Sequence, residues 1–439
     1  MTLHQTETSS AISSAPSLIS RLSVGATWNL VASIFNQGSV FAINIIIARL
    51  LGRTIFGEYT IILITLMTIS LIAQVSTGVT ATRYLAELRV RDRDKAGRIL
   101  GLCTIVSAAM ATLAVILLYI LAPWLSTTIL KAPHLCTGLR IGGGFLFFAV
   151  INGYQIGALA GLENFKNLAK AGLFNAGFLV SVSGLGAWHW GVNGALSGFA
   201  ISAMINWLIH QHFLRAASRA QGISASYHGL WRERQVLTNF ALPAALSGFI
   251  SMPALWLANI FLVRSPNGYN EMAMYSAAMN IRTLIILLPR NINNVSCSIL
   301  NYQKGVVNEI EYRRTYWINL IITSVLVLAG GIVVYFAGQK ILGLFGKNFE
   351  EASPVLLILL FSGLIEIVAI SLYQVMQTKK MMWLTLFGVA IPNFFTLVTL
   401  AYLITPHLGA IGLAWAYTAG WAIALLSIGL VLRRTGVTL

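Results

Sequence analysis

The chain has 439 residues, of which 57% are hydrophobic and only 10% are charged, and its formal net charge is +16. Soluble globular proteins are about half apolar and about a quarter charged, so the composition excludes an ordinary soluble domain. A strongly basic chain can also indicate nucleic-acid binding, but the positions of the charges described below argue against that class.

Twelve apolar segments of membrane-spanning length follow one another with little sequence between them. A helix needs about 20 apolar residues to cross the hydrocarbon core. Because the segments are continuously apolar rather than alternating, they predict helices and not the strands of a barrel. In chain order, the predicted spans are 24–48, 59–80, 99–122, 140–160, 168–188, 192–213, 237–263, 272–300, 315–338, 354–376, 382–404 and 409–432.

The lysines and arginines concentrate in segments that share one side of the membrane. The densest run, RYLAELRVRDRDKAGR at 83–98, falls on that side, as does the pair Arg433-Arg434. The positive-inside rule therefore predicts that both termini are cytoplasmic. The basic residues are expected to meet anionic lipid headgroups and not nucleic acid. The polar segment 1–20 lacks the pattern of a cleavable signal and is predicted to be a flexible tail before an uncleaved first span.

Short matches suggest that the chain is a duplicated six-span unit. Tyr154-Gln155 recurs about half the chain later as Tyr373-Gln374, and the pattern Gly191-x-x-Gly194 recurs as Gly409-x-x-Gly412. Six is even, so both halves enter the membrane the same way round. The fold expected is all-α, with two six-helix lobes related by a pseudo-two-fold axis along the membrane normal and enclosing a central cavity. The predicted organisation is a tail at 1–20, an N-lobe at 21–213, a cytoplasmic linker at 214–236 and a C-lobe at 237–439.

Charged side chains are costly inside a membrane and usually face a cavity or a partner. Arg282 lies near the middle of the eighth span, and Arg290 and Asn293 follow on the same broad helical face beyond Pro289. Glu366 is the acidic residue placed deepest in a span, near the middle of the tenth. An arginine-lined cavity favours an anion, because guanidinium donors match phosphate oxygens.

The first span adds a polar stripe at helical spacing. Together with Arg282, Arg290, Asn293 and Glu366, this stripe predicts a water-filled cavity between the halves. Its candidate cavity residues are Asn29, Asn36, Gln37, Asn44 and Arg49.

Each of these residues also has a purely structural interpretation. Arg282 could pair with Glu366 and pin the halves together, and Arg290 could extend toward the cytoplasmic interface. The amides of the first span could form hydrogen bonds between helices, and Arg49 could anchor a helix end.

The sequence offers no catalytic or metal-binding constellation. Cys103, Cys136 and Cys297 form no CxxC pair, and the histidines lack metal-ligand spacing. No ATP-binding motif is present, so the expected energy source is an H⁺ or Na⁺ gradient or mass action. We therefore predict a transporter without a cofactor and not an enzyme.

Three segments resemble the Wzx-type polysaccharide flippases of the multidrug/oligosaccharidyl-lipid/polysaccharide (MOP) exporter superfamily. They are WNLVASIFNQGSVFAINIIIARLLGRTIFGEY, GALAGLENFKNLAKAGLFNAG and ALPAALSGFISMPALWLANIFLV with the following NGYNEMAMYSAAMNIRTLIILLPRNI. The resemblance covers nearly the whole chain, and its xARxLGxxxFGxY signature is the most specific part.

The resemblance implies two lobes around a V-shaped cavity. It implies transfer of an undecaprenyl-pyrophosphate-linked oligosaccharide, such as an O-antigen or capsule repeat unit, from the cytoplasmic to the periplasmic leaflet of the bacterial inner membrane. Arg282 would hold the pyrophosphate, and Glu366 would couple transport to the ion gradient. Membrane lipids and the polymerase and chain-length machinery are candidate partners. Lipid II flippases usually carry two further spans, which counts against that branch.

Two alternatives stay open. A cation-coupled multidrug antiporter would use the same fold, although cationic drugs favour acidic cavities. A membrane polysaccharide polymerase or glycosyltransferase would need acids or histidines on a sizeable outer loop, and His134 and His407 stand alone on short loops.

Overall fold

The computed structural model describes residues 18–233, 251–306, 309–378 and 381–435, and this part of the chain consists of helices and their connections. The helices of the first half are α1 (Leu18–Leu51), α2 (Arg53–Ala73), α3 (Thr77–Arg91), α4 (Arg93–Trp124), α5 (Leu135–Gly161) and α6 (Phe165–Ala220). The helices of the second half are α7 (Ser251–Val263), α8 (Gly268–Val306), α9 (Glu309–Gly343), α10 (Ser353–Thr378), α11 (Met382–Thr385) and α12 (Ile391–Arg434). π-helical turns at Leu125–Ile129 and Leu386–Ala390 extend α4 and join α11 to α12.

The helix count agrees with a protein that crosses the membrane many times. In the described part, nine helices are long and apolar enough to span a bilayer. Two of them, α6 and the continuous helix 386–434, each contain two predicted spans joined by a kink. Helix α7 is the described end of predicted span 237–263, and the rest of that span lies outside the described residues. The predicted all-α, two-lobed membrane fold is confirmed.

The two kinks occupy corresponding positions of the two halves. Gly191 in α6 has φ 59° and ψ −140°, and Gly409 in α12 has φ 54° and ψ −132°. This conformation is unfavourable for residues with a Cβ, so glycine allows the chain to reverse here. The shared backbone geometry supports the predicted six-span repeat.

The helices that flank each kink approach closely. A Cβ atom on Gly194 would lie 1.9 Å from the carbonyl oxygen of Gly186, and one on Gly412 would lie 2.9 Å from that of Ile404. Small residues permit such backbone contact between membrane helices. Each kinked pair is therefore a tight helical hairpin.

The second predicted span, 59–80, is wrong as one continuous helix. Helix α2 ends at Ala73, and Val75 and Ser76 adopt left-handed backbone angles before α3 begins. In α3, Gly78 packs on α5, where a Cβ on Gly157 would lie 2.1 Å from the Gly78 carbonyl oxygen. The break lets α3 turn against α5, and apolar composition alone does not reveal it.

The turns between helices define two faces of the molecule. We name the one that contains the α1–α2 turn the Gly52 face. Hydrogen bonds bring the start of α8 and the residues after α9 to this face, through Tyr269 to the Leu130 carbonyl and Arg49 to the Leu344 carbonyl. We name the opposite one, which contains the α3–α4 turn and the segment after α6, the linker face.

On the linker face, the chain that follows α6 lies along the start of α4. Helix α6 extends to Ala220, inside the predicted linker range. A Cβ on Gly97 would lie 2.2 Å from the Ser224 carbonyl oxygen, and the Ser226 amide donates to the Gly97 carbonyl at 3.0 Å. Arg98 bonds the buried Glu233 at 3.1 Å. The described part of the linker is thus attached to the first lobe.

Candidate functional site

A buried ion cluster lies inside the second lobe, where α8, α10 and α12 meet. Glu366 of α10 has no exposed surface, and it bonds Arg282 through one carboxylate oxygen and Arg290 through the other. Tyr417 of α12 donates its hydroxyl to the oxygen that also binds Arg282, at 3.2 Å. We name these four residues the charge cluster. Two guanidinium groups and one carboxylate leave it with one net positive charge.

Arg282 is the fixed member of this cluster. Its Nε donates to the Leu359 carbonyl at 2.9 Å and to the Ser362 hydroxyl at 3.1 Å. Its guanidinium carbon lies 4.9 Å from the centre of the Tyr417 ring, within the range of a cation–π contact. The residue is only 2% exposed. In this structure Arg282 does not face an open cavity, which differs from its predicted position as a cavity residue.

Arg290 differs from Arg282 in its exposure. It reaches Glu366 through Nη2, while 47% of its side chain is exposed. Of the predicted cationic pair, Arg290 is therefore the member that a ligand can reach.

The pairing of Arg282 with Glu366 was one of the two interpretations offered by the sequence. Both residues belong to the second lobe, so their ion pair joins α8 to α10 and does not pin the halves together. Ser362 lies four residues before Glu366, and both side chains contact Arg282 from the same face of α10. No sequence signal indicated Tyr417, because it comes from a span that shares no motif with the other three.

Asn293 also lies within the second lobe and not on a cavity wall. It is fully buried, and its side-chain oxygen accepts hydrogen bonds from Asn319 at 2.6 Å and Ser371 at 3.2 Å. Its backbone carbonyl accepts a hydrogen bond from Gln374 at 2.6 Å. The network joins α8, α9 and α10, which is the role of polar groups between membrane helices.

The polar stripe of the first span divides into two parts. Asn44 is buried between the lobes and donates to Asn280 at 3.0 Å. Asn36 is exposed and Gln37 is half-buried, so these two stay accessible. The side chain of Asn29 lies outside the described residues.

Arg49 and its neighbour Arg53 connect the lobes at the Gly52 face. Arg49 donates from Nε to the Leu344 carbonyl at 2.5 Å, and Arg53 bonds Glu351 at 2.8 Å. Thr54 donates to the Asn270 side chain at 2.8 Å. The sequence placed Arg49 in the cavity or at a helix end and did not indicate its contact with the other lobe.

Apolar contacts reinforce the same junction. We name it the seam; it joins 49–57 of the first lobe to residues of the second lobe at 269–270 and 344–351. Phe56 of α2 packs on Phe345 and Phe349, with ring centroids 6.1 Å from each. A Cβ on Gly57 would lie 1.9 Å from the Tyr269 carbonyl oxygen, so the backbones of α2 and α8 touch. The seam therefore closes the Gly52 face by direct backbone and side-chain contact.

The first lobe has a different polar interior. Asn152 of α5 lies 3.2 Å from His210 of α6, and Gln155 donates to Gln211 at 2.7 Å. These contacts are made by amides and one imidazole, whereas Glu366 of the second lobe binds two guanidinium groups. Among the described residues, no group of three His, Cys, Asp or Glu side chains could hold a metal ion.

Comparison with solved structures identifies the fold. A MATE-family multidrug transporter of the MOP superfamily, in an inward-facing conformation, matches with a TM-score of 0.72 at 16% identity, over 94% of this chain and 96% of that one. A eukaryotic MATE transporter matches with a TM-score of 0.73 at 14% identity, over 94% and 96%. A MOP-superfamily transporter from Pyrococcus furiosus, whose binding pocket has reverse polarity that suggests a different function, matches with a TM-score of 0.70 at 17% identity, over 94% of each chain.

A search of curated proteins found no match. The family model described as "Polysaccharide biosynthesis protein" matches residues 22–293, which is more than half of the chain. The match includes the first lobe and the part of α8 that carries Arg282 and Arg290. Together with the membrane-spanning helices, it shows that the chain is a multi-pass membrane protein that belongs to the polysaccharide biosynthesis protein family.

Proposed function

We propose that this protein is a flippase for lipid-linked oligosaccharides. It would move an undecaprenyl-pyrophosphate-linked repeat unit from the cytoplasmic to the periplasmic leaflet of a bacterial inner membrane by alternating access. The observation that carries the proposal is the net positive charge cluster in membrane-spanning helices, with one arginine side chain half-exposed. A buried positive charge attracts an anion, and the headgroup of this cargo is a diphosphate.

The alternative of a multidrug antiporter has the same fold, since the solved relatives include MATE transporters. The sign of the charge argues against cationic drugs as cargo, because Glu366 already binds two arginines. A free carboxylate is what a cationic ligand would need.

Glu366 is also the residue that we propose for ion coupling. Its carboxylate lies at the junction of three helices, so a change in its charge state alters contacts with α8 and α12 together. Uptake of H⁺ or Na⁺ there would weaken its hold on the arginines and link the ion gradient to helix movement.

Deletion of the gene in its source organism tests the proposal. We expect undecaprenyl-linked repeat units to accumulate on the inner leaflet. Mass spectrometry of extracted lipids should show the accumulation, and a membrane-impermeant lectin should fail to bind the accumulated units. The wild-type chain should restore export. Normal surface glycan in the deletion strain, with increased sensitivity across a panel of cationic drugs, would instead support the antiporter.

A further inference from the structure

We infer that Arg290, and not Arg282, binds the anionic head of the cargo, and that Arg290 does so by exchanging Glu366 for a phosphate oxygen. This inference rests on the proposed function and assigns the cationic contact to a residue other than the one that family resemblance implies. It follows from the unequal attachment of the two arginines.

Arg282 cannot leave its position without loss of several contacts. Its Nε donates hydrogen bonds to the Leu359 carbonyl and the Ser362 hydroxyl, and its guanidinium carbon lies 4.9 Å from the centre of the Tyr417 ring. With 2% of its surface exposed, its donors are directed into protein. Its separation from Glu366 would leave a buried guanidinium without its carboxylate partner, which is unfavourable.

Arg290 has the opposite character. Its guanidinium contacts Glu366 through Nη2, and the side chain as a whole is 47% exposed. A guanidinium has five N–H donors, so the exposed edge is able to take a second oxygen pair before the first is released. The long aliphatic stem allows the head to swing while the helix stays in place.

The exchange leaves no charge without a partner. When Arg290 turns to a ligand, Glu366 retains Arg282 and the Tyr417 hydroxyl. The cluster has one excess positive charge, so a phosphate or diphosphate group that replaces Glu366 at Arg290 offsets this charge. Arg282 is thus a positioning residue that holds Glu366, and Arg290 is the residue that contacts the cargo.

A polyprenyl diphosphate and an anionic phospholipid both carry a phosphate group that Arg290 could bind. Titration of the purified full-length protein in detergent with farnesyl diphosphate, farnesol and phosphatidylglycerol separates these sources. We expect farnesyl diphosphate to bind and farnesol to bind far more weakly. Equal binding of phosphatidylglycerol and farnesyl diphosphate would overturn the assignment to a diphosphate cargo.

Substitution then locates the contact. R290Q should weaken farnesyl diphosphate binding by about tenfold or more, and R290K should lie between R290Q and wild type because lysine lacks the planar fork. R140Q is the matched control, since Arg140 is an exposed arginine of α5 and undergoes the same charge change. Unchanged binding by R290Q, or an equal loss in R140Q, would contradict the inference.

A measurement on the wild-type chain avoids any variant that fails to fold. Phenylglyoxal modifies accessible arginines, and peptide mass spectrometry reports each site. We expect Arg290 to be modified in the free protein and protected by farnesyl diphosphate, with Arg282 unmodified in both states. Modification of Arg282 with protection by the ligand, or an unreactive Arg290, would reverse the assignment.

The two proposals fail in different ways. If the deletion strain accumulates lipid-linked repeat units but R290Q binds diphosphate like wild type, the flippase function stands and the role of Arg290 is lost. If wild type binds farnesyl diphosphate no better than farnesol, the cargo itself is misassigned.

Discussion

Arg53 of α2 and Glu351 of the turn after α9 form an ion pair of 2.8 Å between the two lobes. Arg53 is 19% exposed and Glu351 is 62% exposed, so solvent screens the pair and it contributes at most about 1 kcal/mol. Its importance is in its position, beside the Thr54–Asn270 hydrogen bond and the contact of Gly57 with Tyr269. Together these contacts close the Gly52 face.

If the seam must open during transport, a covalent link across it should stop the cycle. We expect the double variant T54C/N270C, with the three native cysteines replaced by alanine, to lose glycan export on oxidation and to regain it on reduction. The Thr54 hydroxyl donates to the Asn270 side chain at 2.8 Å, so the two residues are neighbours across the seam. Each single variant serves as the control. Full export by a completely cross-linked protein would show that the seam is static.

The charge of Glu351 should influence how often the seam opens. E351Q removes the partner of Arg53, whereas E350Q makes the same chemical change at the adjacent exposed residue. We expect maleimide to label a cysteine at position 54 roughly two- to fivefold faster in E351Q, consistent with a loss below about 1 kcal/mol. The labelling rate in E350Q should match that of the parent. Equal acceleration in both variants would indicate a general charge effect.

Gly57 should tolerate no side chain while the seam is closed. A Cβ at this position would lie 1.9 Å from the Tyr269 carbonyl oxygen, and backbone atoms on both sides leave little room to adjust. We expect G57A to reduce T54C/N270C cross-linking and to lower the midpoint of thermal unfolding. G38A is the matched control, because nothing lies within 4 Å of a Cβ there. In that helix, alanine should be neutral or stabilising by about 0.5–1 kcal/mol. Similar effects of the two changes would argue against the contact.

Loss of Arg282 should affect stability as well as transport. From sequence alone, R282A is expected to abolish transport in a folded protein. The structure adds that Arg282 is 2% exposed and completes the hydrogen bonding of Glu366, Leu359 and Ser362. Breaking a buried pair costs about 3–5 kcal/mol, so we expect a lower unfolding midpoint in detergent. R290Q should change the midpoint much less, because its side chain is half-exposed. Equal destabilisation by the two variants would contradict the fixed and exchangeable roles.

The sequence predicted the helices well, because apolar length and glycine placement are local properties. Gly191 and Gly409, which the sequence paired as corresponding positions of a repeat, have nearly the same unusual backbone angles. The break at Val75 and Ser76 was missed because it follows from packing of Gly78 on α5, which is a contact between distant residues.

The candidate site was predicted in composition but not in arrangement. Arg282 and Glu366 were found because charged residues are rare in spans, yet helical periodicity does not say which neighbouring helix a face meets. The sequence therefore placed Arg282 in a cavity, where the structure shows an interior contact with α10 and α12. Asn44 and Arg49 were grouped with it because they are polar, although they form hydrogen bonds with residues of the other lobe.

The kinked hairpins have a mechanical consequence. In α6, the backbone of Gly194 presses against that of Gly186, and in α12 the backbone of Gly412 approaches that of Ile404. Helices in such close contact cannot slide or separate without opening a void between them. We therefore expect each helix pair to move as one rigid unit. Movement during transport must then separate contacts between different hairpins, such as those of the seam, while each hairpin keeps its own shape.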